Sequence, residues 1–166
     1  MANLQKELWR FSAANRVLFA ALGGPPPCKR LAGVPCLNHL GWREQSVILE
    51  SMRSAAYLII PSICFETFSR VLVEAYGCGL PVIASRLGAL RDLVRDGETG
   101  LLFEAGLADD LAAKIAWAEA HPERMRDMGR AARAAYEASY TPEINYRQLM
   151  AIYHEAIAVR RGAERA

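Results

Sequence analysis

Tyr57-Leu58-Ile59-Ile60-Pro61-Ser62-Ile63-Cys64-Phe65-Glu66-Thr67-Phe68-Ser69-Arg70-Val71-Leu72-Val73-Glu74-Ala75-Tyr76-Gly77-Cys78-Gly79-Leu80-Pro81-Val82-Ile83-Ala84 decides the fold. An apolar run, a loop, a helical pattern and a second apolar run follow one another within it. Tyr57 to Ile60 and Pro81 to Ala84 are apolar throughout, as a strand covered on both faces should be. Between them Phe68, Val71, Leu72 and Ala75 recur at i, i+3, i+4 and i+7, which places a helix over 68–78. Gly77 and Gly79 end that helix, and Pro81 prevents its resumption. Strand, helix and strand in this order are one crossover unit of a parallel α/β sheet.

The same alternation extends outward. Apolar runs also stand at 17–22, at 36–40 and, shorter, at 101–103. A helix is expected over 44–56, with Ile48, Met52 and Ala55 on one stripe. After residue 103 only helical patterns remain, near 109–119, 122–138 and 142–160. Pro122 and Pro142 suit first-turn positions, and Thr141 suits the N-cap of the last helix. The stripe Tyr146, Leu149, Met150, Tyr153, Ile157 on that helix reads as core before interface, the alternative being a face left partly exposed. Gly23-Gly24-Pro25-Pro26-Pro27 is too short a loop to divide domains, so the expectation is one α/β domain with helices on both faces of its sheet.

At 166 residues and 52% hydrophobic, the chain can bury a sizeable core. Charged residues make up 23% with a net charge of +2, and the basic residues are scattered, which gives no electrostatic case for nucleic acid. The local cluster Arg160, Arg161 and Arg165 reads as a solvated helix end, with weak attraction to the inner membrane surface as the alternative. No apolar run approaches the roughly 20 residues that span a bilayer. Residues 1–10 carry Lys6, Glu7 and Arg10 and lack a signal-peptide core, so a cytoplasmic chain is expected. Cys28, Cys36, Cys64 and Cys78 show no ligand spacing; they are expected reduced and partly buried, with no metal site.

In an open parallel sheet, ligands bind beyond the carboxyl ends of the strands, where helix N-termini present free N–H groups. The segment Pro61 to Ser69 is such an end, with Glu66 just before a helix and Glu74 inside it. Alone, Glu66 is a helix-end carboxylate and Glu74 a solvated helix residue. Together they allow another reading. N–H groups hold a diphosphate while two carboxylates accept hydrogen bonds from sugar hydroxyls, and charged acceptors strengthen such bonds.

The run Pro61 to Ser85 resembles the E-x7-E segment of the family 4 glycosyltransferases. Gly88-Ala89-Leu90-Arg91-Asp92-Leu93-Val94, Asp96-Gly97-Glu98-Thr99-Gly100-Leu101-Leu102, Met128-Gly129-Arg130-Ala131-Ala132-Arg133 and Tyr140-Thr141 continue the pattern in the same order. The resemblance covers about residues 17–158. It implies a GT-B fold, two Rossmann-like domains facing across a cleft, of which this chain is the C-terminal, donor-binding one. Residues 17–166 are then a Rossmann-like nucleotide-sugar-binding domain, and 1–16 a helical lead-in where the family's first strand should stand.

The implied activity is hexosyl transfer from a nucleotide diphosphate sugar with retention, in polysaccharide or glycoconjugate synthesis, with no cofactor and no catalytic metal. Glu66 matches the catalytic glutamate against the transferred sugar, and Glu74 the one that holds the ribose. Thr67 follows the first glutamate; the N–H groups of Phe68, Ser69 and Arg70 match those facing sugar and phosphates, and Leu40 and Gly41 match a strand end near the base. Thr67 and Ser69 stand where glycines are usual, and Ala89 replaces the second glycine of a pair. Residues 1–16 hold no match to the family's Gly-Arg pair and following Lys. The acceptor domain is missing too, so the isolated chain is expected to transfer little. The alternative is a truncated or split donor-binding module that acts when a separate acceptor domain docks. His39 reads as structural, and Trp9, Trp42 and Trp117 as packing groups.

Overall fold

The computed structural model describes residues 43–163. The expected lead-in 1–16, the runs at 17–22 and 36–40, Leu40, Gly41, His39, Trp9, Trp42, Cys28 and Cys36 lie outside them. Helix α1 (Gln45–Ser54) leads into strand β1 (Leu58–Ile60) and helix α2 (Arg70–Gly77). Strand β2 (Val82–Ser85), helix α3 (Gly88–Leu93) and strand β3 (Gly100–Phe103) follow. Helices α4 (Ala108–Ala120), α5 (Pro122–Ser139) and α6 (Pro142–Ala163) complete the order.

The three strands form a parallel sheet in the order β1-β2-β3, with Leu58 opposite Val82 and Val82 opposite Gly100. Alternation along each strand builds two cores. Val82, Ala84 and Leu102 face Leu72, Ala75, Tyr76 and Leu90 of α2 and α3. Ile83, Leu101 and Phe103 face Leu111, Ile115 and Ala118 of α4. Helix α5 reaches both, sending Ala132 to the first core and Met125 and Met128 to the second. Helices therefore cover both faces, which is why the strands read as unbroken apolar runs.

Gly129 sets how closely α5 approaches the sheet. A Cβ there would lie 2.4 Å from the Gly79 carbonyl oxygen and 3.2 Å from Pro81 Cδ. The expected cap of α6 forms, with the Ile144 N–H donating to Thr141 Oγ1 at 3.4 Å.

Four expectations need correction. Phe68 is not on the buried stripe of its helix; the helix starts two residues later, and the ring is half exposed. Ala55 likewise falls past the end of α1 and is exposed. Cys64 sits in an exposed loop instead of partly buried. On α6, Tyr146, Leu149, Tyr153 and Ile157 are exposed, joined by Ile152 and Val159, because α6 leaves the body of the domain after its first turns. One element went unforeseen: α3 is short, and a glycine at its start hides its period.

Candidate functional site

The carboxyl ends of β1 and β2 lie side by side, joined where buried Ser85 Oγ donates to the Ile60 carbonyl at 3.3 Å. Pro61 follows Ile60 and cannot continue the ladder, so the chain leaves the sheet as an exposed loop to Ser69. The turn after β2 holds this loop in place. Gly88 adopts φ +52°, and a Cβ there would lie 3.2 Å from the Glu66 carbonyl oxygen and 3.3 Å from the Glu66 nitrogen. The Ala89 N–H donates to that same Glu66 carbonyl at 3.3 Å. Only a residue without a side chain lets the two strand-end loops meet this closely.

Glu66 is half-buried, and Ser62 Oγ donates to its Oε1 at 2.8 Å. Thr67 and Phe68 are exposed, and Ser69 is buried as the N-cap of α2. One turn into α2, the Glu74 side chain keeps 25% of its exposure. Its Oε1 receives Gln45 Nε2 of α1 at 3.3 Å and an Arg70 guanidinium nitrogen at 3.5 Å.

The start of α2 is left open. Ser69 makes no side-chain cap, and no acidic residue stands in the first turn. The first N–H groups of a helix have no intrahelical acceptor, so this end presents unclaimed donors and the positive end of the helix dipole. The Ser69 hydroxyl is the one buried side-chain polar atom without a partner among the described residues. Glu66, Thr67, Phe68, Ser69, Arg70 and Glu74 thus share one loop and the first turn and a half of one helix. Leu40 and Gly41 lie outside the described residues.

Two further participants were not singled out in the sequence. Ser62 bonds Glu66 within the loop, and Gln45 bonds Glu74, where nothing in spacing marks a contact between residues 29 apart. Gly88 was in view as the glycine directly after a strand end, but its close approach to Glu66 was not.

The Asp96–Thr99 corner is built differently. Asp96 accepts the Leu102 N–H at 2.9 Å on one oxygen and the Arg86 guanidinium at 2.8 Å on the other. Arg86 also reaches Glu104 at 3.1 Å. Thr99, wholly buried, meets the Tyr76 hydroxyl at 2.6 Å and the Arg95 N–H at 3.0 Å. Burial pushes the Tyr76 hydroxyl up to about 12.

A cavity of about 360 Å³ opens at the opposite, amino ends of the strands, lined by Met52, Tyr57, Leu80, Pro81 and Met125 among others. It contains neither glutamate, and in a parallel sheet the carboxyl ends are where helix N-termini converge on a ligand. Among the described residues no group of His, Cys, Asp and Glu gathers as a metal site. No helix there is long and apolar enough to cross a membrane.

Comparison with known proteins agrees with this architecture. Residues 36–135 match the family described as glycosyl transferases group 1. The chain is 36% identical over 105 residues to the D-inositol 3-phosphate glycosyltransferase of Segniliparus rotundus, covering 63% of this chain and 23% of the relative. It is 39% identical over 106 residues to the phosphatidyl-myo-inositol mannosyltransferase of Mycobacterium leprae, covering 60% and 28%. Among solved structures, Anabaena HepE in complex with UDP-glucose superposes with a TM-score of 0.78 at 21% identity, over 93% of this chain and 45% of that one. The chain therefore spans about a quarter of these curated relatives and under half of the solved structure.

Proposed function

The chain belongs to the glycosyl transferases group 1 family, its parallel α/β fold is that of GT-B glycosyltransferases, and from that premise we propose that it is the donor-binding half of a retaining family 4 hexosyltransferase. It binds a nucleotide diphosphate sugar at the carboxyl ends of β1 and β2. The N–H groups at the start of α2 take the diphosphate, and Glu74 accepts the ribose hydroxyls. Glu66 lies against the transferred sugar, held there by Ser62 and by the Gly88 turn. Thr67, Phe68 and Ser69 shape the sugar pocket, and Leu40 and Gly41 lie near the base. The reaction needs no metal ion in this reading, because helix-end donors stabilise the departing diphosphate.

One observation carries the reading: an uncapped helix N-terminus has Glu66 just before it, on a loop tied to the neighbouring strand end, and Glu74 one turn into the helix. Titration calorimetry of the chain with UDP, GDP, ADP and their common sugars tests it. Saturable binding to one nucleotide is expected, weakened at least tenfold by Glu74→Ala, the order of a lost charged hydrogen bond. No heat with any of them sinks the reading.

A second reading is favoured by the uncovered apolar face of α6: transfer requires an acceptor domain that docks on this chain in trans. Mixing the chain with the separately expressed acceptor half of a related enzyme would then restore sugar transfer that neither part performs alone. Failure with every such partner, while the chain alone transfers sugar, removes it.

A further inference from the structure

Arg70 is placed against the usual electrostatics of a helix. It occupies the first position of α2, where the dipole is positive and a cation is repelled. Its side chain is 83% exposed, and it pairs with Glu74 at 3.5 Å, an exposed i,i+4 pair that holds a guanidinium weakly. The arginines that follow β2 are tied more closely. Arg86, Arg91 and Arg95 each have a carboxylate within 3.2 Å. Beside Arg70, the Ser69 hydroxyl is buried without a partner at the same helix end. Local rules broken together at one spot mark a site whose missing member is a ligand. Here that member is an anion: it reverses the repulsion at Arg70 and takes the unclaimed first-turn donors.

We infer that the Arg70 side chain, in addition to the backbone donors around it, is the counter-charge that selects a diphosphate over a monophosphate. The inference rests on the donor-binding reading above. Cα–Cβ bonds of a helix tilt towards its N-terminus, so a long side chain at the first position projects past the helix end. From there a planar guanidinium engages two phosphate oxygens at once, which an ammonium cannot do. Moving to the phosphates also removes one of the two donors on Glu74 Oε1, leaving Gln45, and opens room at that oxygen for a hydroxyl. Arg70 is therefore both a charge for the leaving group and a release for the neighbouring acceptor.

The test is calorimetry on the full chain and on Arg70→Gln and Arg70→Lys, with UDP against UMP and GDP against GMP, at low and at physiological salt, beside thermal melts. Arg70→Gln should weaken the diphosphate about tenfold or more and the monophosphate much less, and it should flatten the salt dependence. Its melting temperature should hold or rise, because a misplaced cation leaves the helix end. Arg70→Lys should recover part of the affinity. Equal affinities in wild type and Arg70→Gln, an equal fall for both phosphates, or a fall that follows a lower melting temperature overturns the assignment. If the wild-type chain binds none of these nucleotides, the donor-binding reading has failed and this inference with it. If it binds them and Arg70→Gln binds as well, only the role of Arg70 has failed.

Discussion

Two stretches of this domain look alike as sequence motifs and differ as structures. In the Asp96–Thr99 corner every polar side chain described is used internally: both oxygens of Asp96, and Thr99 against Tyr76 and Arg95. In the loop from Pro61 into α2, polar and apolar groups are left over. The Ser69 hydroxyl has no partner, Arg70 is loosely tethered, and Phe65 is 82% exposed. A closed hydrogen-bond set specifies a fold; an open one at a helix end specifies something still to bind. The corner therefore fastens β3 to the sheet, and the loop is where chemistry is to be sought.

The sharpest way to break that contrast is Thr99→Val. The isosteric change leaves the Arg95 N–H without its acceptor and the Tyr76 hydroxyl with only the Leu93 carbonyl at 3.4 Å. A loss of about 1–3 kcal/mol is expected in urea unfolding, the usual range for unsatisfied buried groups. Nucleotide affinity of the folded protein should be unchanged. A variant as stable as wild type, or one that loses binding while folded, would erase the distinction between the regions.

Gly88→Ala acts on both sides of the contrast. A Cβ at φ +52° costs about 1–2 kcal/mol, and this one also presses on the Glu66 backbone at 3.2 Å. Melting temperature should fall, and affinity for the preferred nucleotide sugar should fall further than in Thr99→Val at equal stability. Equal affinities at matched stability would show that the turn after β2 does not position Glu66.

Alkaline pH probes the corner. Burial raises Tyr76 from 10.0 in the unfolded chain to about 12 in the fold, so the folded state binds the proton more tightly. Its contribution is fully present below pH 10 and is lost as pH rises through about 12. Stability should decline over that window, and Tyr76→Phe should flatten the decline while lowering stability near neutrality. Tyr57, also raised by burial and by Glu119, adds to the same slope, so the flattening is partial.

The elements of this fold were legible because burial on two faces writes itself into β1 and β2 as continuous apolar runs, and Gly79 with Pro81 punctuates the crossover. α3 escaped because six residues opening on a glycine hold too little period to recognise. The α6 stripe was misread for a related reason: periodicity reports that a face is apolar, and says nothing of what covers it. At the candidate site, the order of Glu66, Ser69, Arg70 and Glu74 was visible on the chain. The Gln45 and Gly88 contacts were not, since they arise only when separate elements meet, and the Ser62 bond to Glu66 depends on the course of the loop that holds both. The empty cap at Ser69 was invisible too: a serine before a helix predicts a capping bond, and here that bond is absent.

Ser69→Ala therefore gives the smallest effect and the most telling sign. At an ordinary N-cap this change destabilises by about 0.5–2 kcal/mol. Here no cap bond exists to lose, and the alanine removes a buried hydroxyl that has no partner. A gain of up to about 1 kcal/mol is expected in urea unfolding of the free protein. If the hydroxyl is kept for the ligand, the gain should vanish or reverse when unfolding is repeated with saturating nucleotide, because binding stabilises the wild-type fold more than the variant. A plain loss of stability without ligand would mean that Ser69 caps α2 in solution, and the helix end would then be closed like the corner it is compared with.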